Sequence, residues 1–165
     1  MYTPVIEEIL RCAGEHARAC GDSYTRVFHV LIAACRLSHV PGHRGPVGAD
    51  HEFLKGLFLA GRISPADLAE KIGMDIRQGR RQFQAAIVPR SKQCQELFLA
   101  AEEYASEQSE QTVGLRHLVE PLFVALSQNP YYGITMQELG GSLDRMLAYL
   151  DLDGQASQVQ EDDDA

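Results

Sequence analysis

The feature that most constrains this chain is an apolar pattern that occurs twice. Ile6, Ile9, Leu10, Ala13 and Ala17 recur at spacings of three and four, the stripe of a helix that buries one face. Moved along by 88 residues, those positions become Cys94, Leu97, Phe98, Ala101 and Ala105. The same shift carries Val27, His29, Val30 and Ala34 onto Leu115, His117, Leu118 and Leu122, with no gap across either pair of helices. A further match, at an offset of 67, sets Ile72-Gly73, Asp75 and Ile76 on Leu139-Gly140, Ser142 and Leu143. The two offsets imply about 21 extra residues between the second and third helices of the first copy.

A helical unit with more apolar face than it can bury alone must set that face against a neighbour. Two copies in one chain therefore predict a core shared between them. At 165 residues the chain is long enough to bury roughly 70% of the surface it exposes when unfolded, without disulfides or metal. Local signals agree with helices throughout. Thr3-Pro4 supplies a cap and a first-turn proline, and Gly21 offers a stop. Ser64-Pro65-Ala66-Asp67 marks another start with Gly73 as its end, and Asp75 with Gln78 resembles a capping box opening a helix to Ile87. Alternation with period two is not sustained anywhere, which excludes a sheet protein.

The predicted fold is all-α: two tandem, pseudo-symmetric four-helix repeats packed as one globular domain. The first spans 1–87 with an insertion at about 38–56, the second 88–150, and an acidic tail follows at 151–165. Within the insertion, Pro41, Gly42, Gly45, Pro46 and Gly48 read as loop, followed by a short additional helix through Phe53, Leu54, Leu57 and Phe58.

The ordered motifs carry a family resemblance. Ala13-x-x-x-Ala17-x-x-x-Gly21, then Ser23-Tyr24 and His29, is similar to the repeat of the Clp N-terminal domain. The second copy matches through Ala101-x-x-x-Ala105, Val113-Gly114-Leu115-Arg116-His117 and Leu139-Gly140, and Pro89-Arg90-Ser91-Lys92 resembles its lead-in. That domain is the substrate- and adaptor-binding head of the Clp and heat-shock unfoldases. The resemblance implies two Clp repeats and a non-catalytic protein–protein interaction domain, without cofactor, that binds client proteins, adaptors or a partner chaperone. It also implies binding positions at Thr3, Phe28, Ser91 and Arg116, the points the family uses in each repeat. The family places an acid before each motif histidine, where this chain has Phe28 and Arg116. Arg116 repels a guanidinium and Phe28 favours an apolar anchor, so phosphorylated arginine is a poor fit. Pro121 is a further departure and predicts a kink or a late start in the sixth helix.

No G-x-x-x-x-G-K-[ST] run occurs to cradle nucleotide phosphates, so the chain is a head without its motor. It is then either a standalone repeat protein or a separated domain. The alternative function is a modulator or adaptor of a Clp-type unfoldase or a secretion-system motor.

His39, His43 and His51, with Asp50, share the insertion and offer metal-ligand types, which leaves a small metal-dependent enzyme as the less favoured alternative. The spacing crosses prolines and glycines rather than one helix face, so a polar loop and no metal is the preferred reading. His29 and His117 sit at equivalent helix starts, where an imidazole bonds backbone groups, and read as structural. Cys12, Cys20, Cys35 and Cys94 form no C-x-x-C pair and lie in apolar helical patterns, which favours small core residues over redox chemistry. No nucleophile–base arrangement is legible, so no catalytic residue is assigned. Arg77 and Arg81, four apart with Arg80 between them, read as a solvated face or as a docking point for an acidic partner segment.

Net charge is −8. Asp151, Asp153, Glu161, Asp162, Asp163 and Asp164 contribute six acids beyond residue 150 with no base among them, leaving 17 acids against 15 bases, or −2, before it. The repeats are thus close to neutral, and neither nucleic acid nor an anionic membrane is an expected partner. MYTPVIEEIL has no basic segment followed by an apolar run, and no stretch approaches the roughly 20 apolar residues of a membrane span. A cytoplasmic location is the expectation; the oligomeric state is not legible.

Overall fold

The computed structural model describes residues 1–22, 24–38, 49–77 and 90–151 and places eight helices along them. These are α1 (Pro4–Ala19), α2 (Val27–Leu37), α3 (Ala49–Ala60), α4 (Pro65–Arg77), α5 (Lys92–Glu107), α6 (Leu115–Ser127), α7 (Pro130–Glu138) and α8 (residues 143–151). Among the described residues there is no strand, only two isolated bridges.

Pro4 opens α1 where its missing N–H costs nothing, and Ile6, Ile9, Ala13 and Ala17 turn inward. In α5, 88 residues on, Cys94, Leu97, Phe98, Ala101 and Ala105 do the same. The periodic stripe read from the sequence is the buried stripe. Each of these helices packs on its successor, α1 on α2 and α5 on α6. The successors lie deeper. In α2 every residue from His29 to Cys35 is buried, and Leu115, Leu118, Val119, Leu122, Phe123 and Leu126 of α6 are buried as well. A helix apolar on most sides has to be central, and these two are.

The chain leaves α1 and α5 in the same way. Gly21 and Ser109 take left-handed backbone, with φ of 71° and 60°. Asp22 N–H then bonds Ala17 C=O, and Glu110 N–H bonds Ala105 C=O, each at 2.9 Å.

The later helices differ from the sequence expectation. α4 runs through Gly73 and Asp75 to Arg77, so no helix ends or begins there. Burial of Leu68, Ala69 and Ile72 on one face outweighs the roughly 1 kcal/mol that an interior glycine costs. The matching turns lie at an offset of 78, not 67. Arg62 and Gly140 have φ of 52° and 82°. Ile63 N–H bonds Phe58 C=O (3.1 Å), as Gly141 N–H bonds Met136 C=O (2.8 Å). Ser64 Oγ accepts from Asp67 N–H (3.4 Å), as Ser142 Oγ accepts from Arg145 N–H (3.3 Å). α3 is therefore the counterpart of α7 rather than an additional helix, and the offsets of 88 and 78 differ by ten residues instead of about 21. Residues 39–48 of the expected insertion lie outside the described residues, while 49–56 are helical.

α6 begins at Leu115, upstream of Pro121, so the late start expected from that proline does not occur. Pro121 lacks the N–H that would bond the His117 carbonyl four residues back.

Candidate partner-binding site

The two halves are joined crosswise by their lead-in segments. Thr3 N–H donates to Val113 C=O (3.0 Å) and Val113 N–H donates to Met1 C=O (2.8 Å). The equivalent bond 88 residues on runs in the other direction, from Ser91 N–H to Thr25 C=O (2.8 Å). Each lead-in thus lies against the loop that opens the central helix of the other half, bridging Tyr2 to Val113 and Thr25 to Arg90.

That crossing sets Thr3 and Ser91 each beside a loop that leads toward another of the expected positions. Thr3, the residue before α1, lies beside the Val113-Gly114 loop that leads to Arg116. Ser91, the N-cap of α5, lies beside the Thr25-Arg26 loop that leads to Phe28, and its hydroxyl accepts from Cys94 N–H at 3.1 Å. Thr3 Oγ1 is buried and has no hydrogen-bond partner among the described residues. Phe28 is half-buried with its ring 4.3 Å from that of His29. Arg116 is exposed, with its guanidinium 4.8 Å from the centre of the Phe53 ring.

His29 and His117 hold the two loops in place. His29 Nδ1 accepts from Arg26 N–H (2.9 Å) and His117 Nδ1 accepts from Gly114 N–H (2.8 Å). Each ring therefore carries its proton on Nε2. Nε2 faces an acid at the equivalent position, Asp22 at 3.6 Å and Glu110 at 3.4 Å. Each ring also meets an aromatic neighbour edge-on from the preceding helix, His16 at 5.4 Å and Tyr104 at 5.2 Å. Each histidine thus bonds the backbone N–H that opens a central helix.

Between the lead-ins lies a groove of about 440 Å³ lined by Tyr2, Arg90, Gln95, Phe98, Leu99 and Glu102. Phe98 is buried beneath it, with the Tyr2 ring edge-on at 6.1 Å and the Arg90 guanidinium 5.3 Å from its ring centre. Tyr2 Oη donates to Glu102 Oε1 at 2.5 Å, and burial, followed by that carboxylate, pushes the phenol pKa up. Leu99 is 56% exposed at its edge. The arrangement offers an apolar strip bordered by one cation and one anion, with no nucleophile activated beside it. Thr3 and Ser91 are chain neighbours of Tyr2 and Arg90. Of the lining residues, Arg90 stood in the lead-in motif read from the sequence. Tyr2 and Leu99 were missed, and Phe98 was read only as part of the stripe. The available signal was Tyr2 standing at an offset of 88 from Arg90.

The remaining candidates do not converge on this place. Arg77 ends α4, its side chain lies outside what the structure describes, and Arg81 falls outside the described residues altogether. His39 and His43 are outside them as well. Asp50 is in the first turn of α3, where burial pushes its carboxyl pKa up against the opposing pull of Arg116. Among the described residues no group of three or more His, Cys, Asp or Glu is placed to hold a metal ion. Cys35 and Cys94 are buried, which pushes their thiol pKa values up to about 12 and about 11, while Cys12 and Cys20 are half-buried. No helix among the described residues is long and apolar enough to cross a membrane.

No protein-family model matches the sequence, and no curated protein matches it. Solved structures do. The Hsp104 N-terminal domain from Candida albicans superposes with a TM-score of 0.66 at 17% identity, covering 90% of this chain and 88% of that one. A chain from structural investigations of a malarial protein secretion system gives 0.60 at 19% identity, covering 92% and 93%. The N-terminal domain of the caseinolytic protease associated chaperone ClpD from Arabidopsis thaliana gives 0.60 at 16% identity, covering 90% and 94%. All three superpositions cover about nine-tenths of this chain, which has the fold of a Clp N-terminal domain.

Proposed function

We propose that this is a non-catalytic protein–protein interaction domain that captures client proteins, adaptors or a partner chaperone at the crossing of its two halves. The observation that carries the reading is the groove between the lead-ins, where Tyr2, Phe98 and Leu99 present apolar surface between Arg90 and Glu102. Aromatic and aliphatic anchors ringed by polar groups are what a peptide-binding surface needs. In this reading Thr3, Phe28, Ser91 and Arg116 flank the bound segment. Arg116 directs it toward anionic or apolar side chains and away from guanidinium groups, while Arg77 and Arg81 dock an acidic stretch of the same partner. The units that cooperate are 1–87 and 88–150, with 151–165 as an acidic tail.

The experiment is titration of fluorescently labelled, reduced and carboxymethylated lactalbumin, an unfolded client, against the chain and its Leu99→Glu and Tyr2→Ala variants. The reading predicts saturable binding that falls about tenfold or more in both variants, the size expected for removing a central anchor. Undiminished affinity in variants with an unchanged far-ultraviolet spectrum would contradict it.

The similarity to a chain from a malarial protein secretion system supports a second reading, in which the domain serves as an adaptor or modulator of a Clp-type or secretion motor. An affinity pull-down that returns an unfoldase, rather than unfolded clients alone, separates the two.

A further inference from the structure

A second groove, sharing no residue with the first, runs between α5 and α6 and encloses about 430 Å³. Its floor includes Pro121 and Val124 of α6, and Val124 is 49% exposed. Glu96, Glu103 and Glu107 line it from α5, where spacings of seven and four keep them on one side of the helix, and Glu120 adds a fourth carboxylate from α6. No lysine or arginine lines it. Among the described residues none of the four glutamates enters a salt bridge. In the first half the positions 88 residues before Glu120 and Pro121 are Ile32 and Ala33, which are 0% and 2% exposed.

We propose that this groove docks an amphipathic helix of a partner protein, with lysine or arginine on both sides of an apolar stripe. Four carboxylates line a partly apolar channel that holds no cationic side chain, and a partner supplying cations to the rim and aliphatic side chains to the floor complements both while burying the floor. A helix presenting anchors at i, i+3 and i+4 suits a channel between two helices. The chain's own tail is excluded as occupant by its sign, since it adds six further acids and no base. The proposal does not depend on the Tyr2–Phe98 groove being the client site.

The test uses a fluorescein-labelled amphipathic peptide of about 14 leucines and lysines, its glutamate-for-lysine counterpart and a scrambled leucine–lysine control. Fluorescence anisotropy on the full chain is expected to give saturable one-to-one binding of the leucine–lysine helix that weakens as salt is raised. The double variant Glu103→Lys/Glu107→Lys, at exposed positions where folding is not at stake, is expected to lose about tenfold or more in affinity. The same variant is expected to gain affinity for the glutamate peptide, which the unaltered chain ignores. Neutralising the tail (Glu161→Gln with Asp162→Asn, Asp163→Asn and Asp164→Asn) is expected to leave binding unchanged, as is Leu99→Glu. Three outcomes would overturn the proposal: loss on tail neutralisation with the double variant unaffected, equal binding of the scrambled peptide, or sedimentation showing a dimer that the double variant dissociates. Loss in Leu99→Glu alone would place the peptide in the first groove and overturn it equally.

Discussion

His29 and His117 stand 88 residues apart and make the same three contacts: a backbone N–H accepted at Nδ1, an acid near Nε2 and an aromatic ring at the edge. A buried acceptor of that kind satisfies a helix-opening N–H that has no intrahelical partner. His117→Ala is expected to cost about 1–2 kcal/mol, and His29→Ala more, because its ring is fully buried and leaves a cavity. Urea unfolding of both variants measures this. Their role was legible because residue type and position both recur. Ser109 was not legible in the same way. It occupies the left-handed conformation that Gly21 takes in the first half, and serine gives no such signal. Ser109→Gly removes a Cβ from strained backbone, so it is expected to stabilise the fold by about 0.5–1 kcal/mol, and Gly21→Ala to destabilise it by about as much. Thermal melts that rank the pair the other way would refute the equivalence.

Between elements, the turn after α3 rests on the turn after α7. Ser142 N–H donates to Gly61 C=O at 2.8 Å, and a Cβ on Gly141 would stand 2.9 Å from that carbonyl oxygen and 3.0 Å from Ile63 Cβ. Backbone on one side and a buried branched residue on the other leave little room to yield, so Gly141→Ala is expected to cost about 1–3 kcal/mol in denaturant titration. A second link joins α4 to α7, where Tyr131 Oη donates to Asp75 Oδ2 at 2.6 Å. That bond, with help from Lys71, holds the Asp75 carboxyl below its usual range; burial, then Asp75, pushes the Tyr131 phenol up. A carboxylate whose folded value is depressed adds stability above its unfolded value, near 3.9, and loses it as pH falls through the folded value. The destabilisation caused by Tyr131→Phe is therefore expected to be constant from neutral pH to about pH 4 and to shrink below it. Urea midpoints of both proteins at pH 7 and pH 3 check this; a difference that grows at pH 3 would contradict it. α1, α2, α5 and α6 were legible from their stripes. α3 and α4 were read out of register because Arg62 fills the left-handed turn where a glycine would have marked it, while Gly73 lies inside a helix and imitates a stop.

For the whole molecule, the repeat in sequence becomes an exchange in space. Each lead-in pairs with the other half, so Tyr2 of the first half meets Arg90, Phe98 and Glu102 of the second in one groove. Thr3 and Ser91 entered as positions that the family resemblance implies, and they are the chain neighbours of Tyr2 and Arg90. The sequence did not point to Tyr2 or Leu99, because their meeting depends on the crossing, which no local pattern encodes. The measurement that tests the central claim most directly is hydrogen–deuterium exchange of the chain with and without reduced, carboxymethylated lactalbumin. Slowed exchange at residues 1–3, 90–102 and 113–116 is the predicted result. Bound client with unchanged exchange in all three segments would contradict the account.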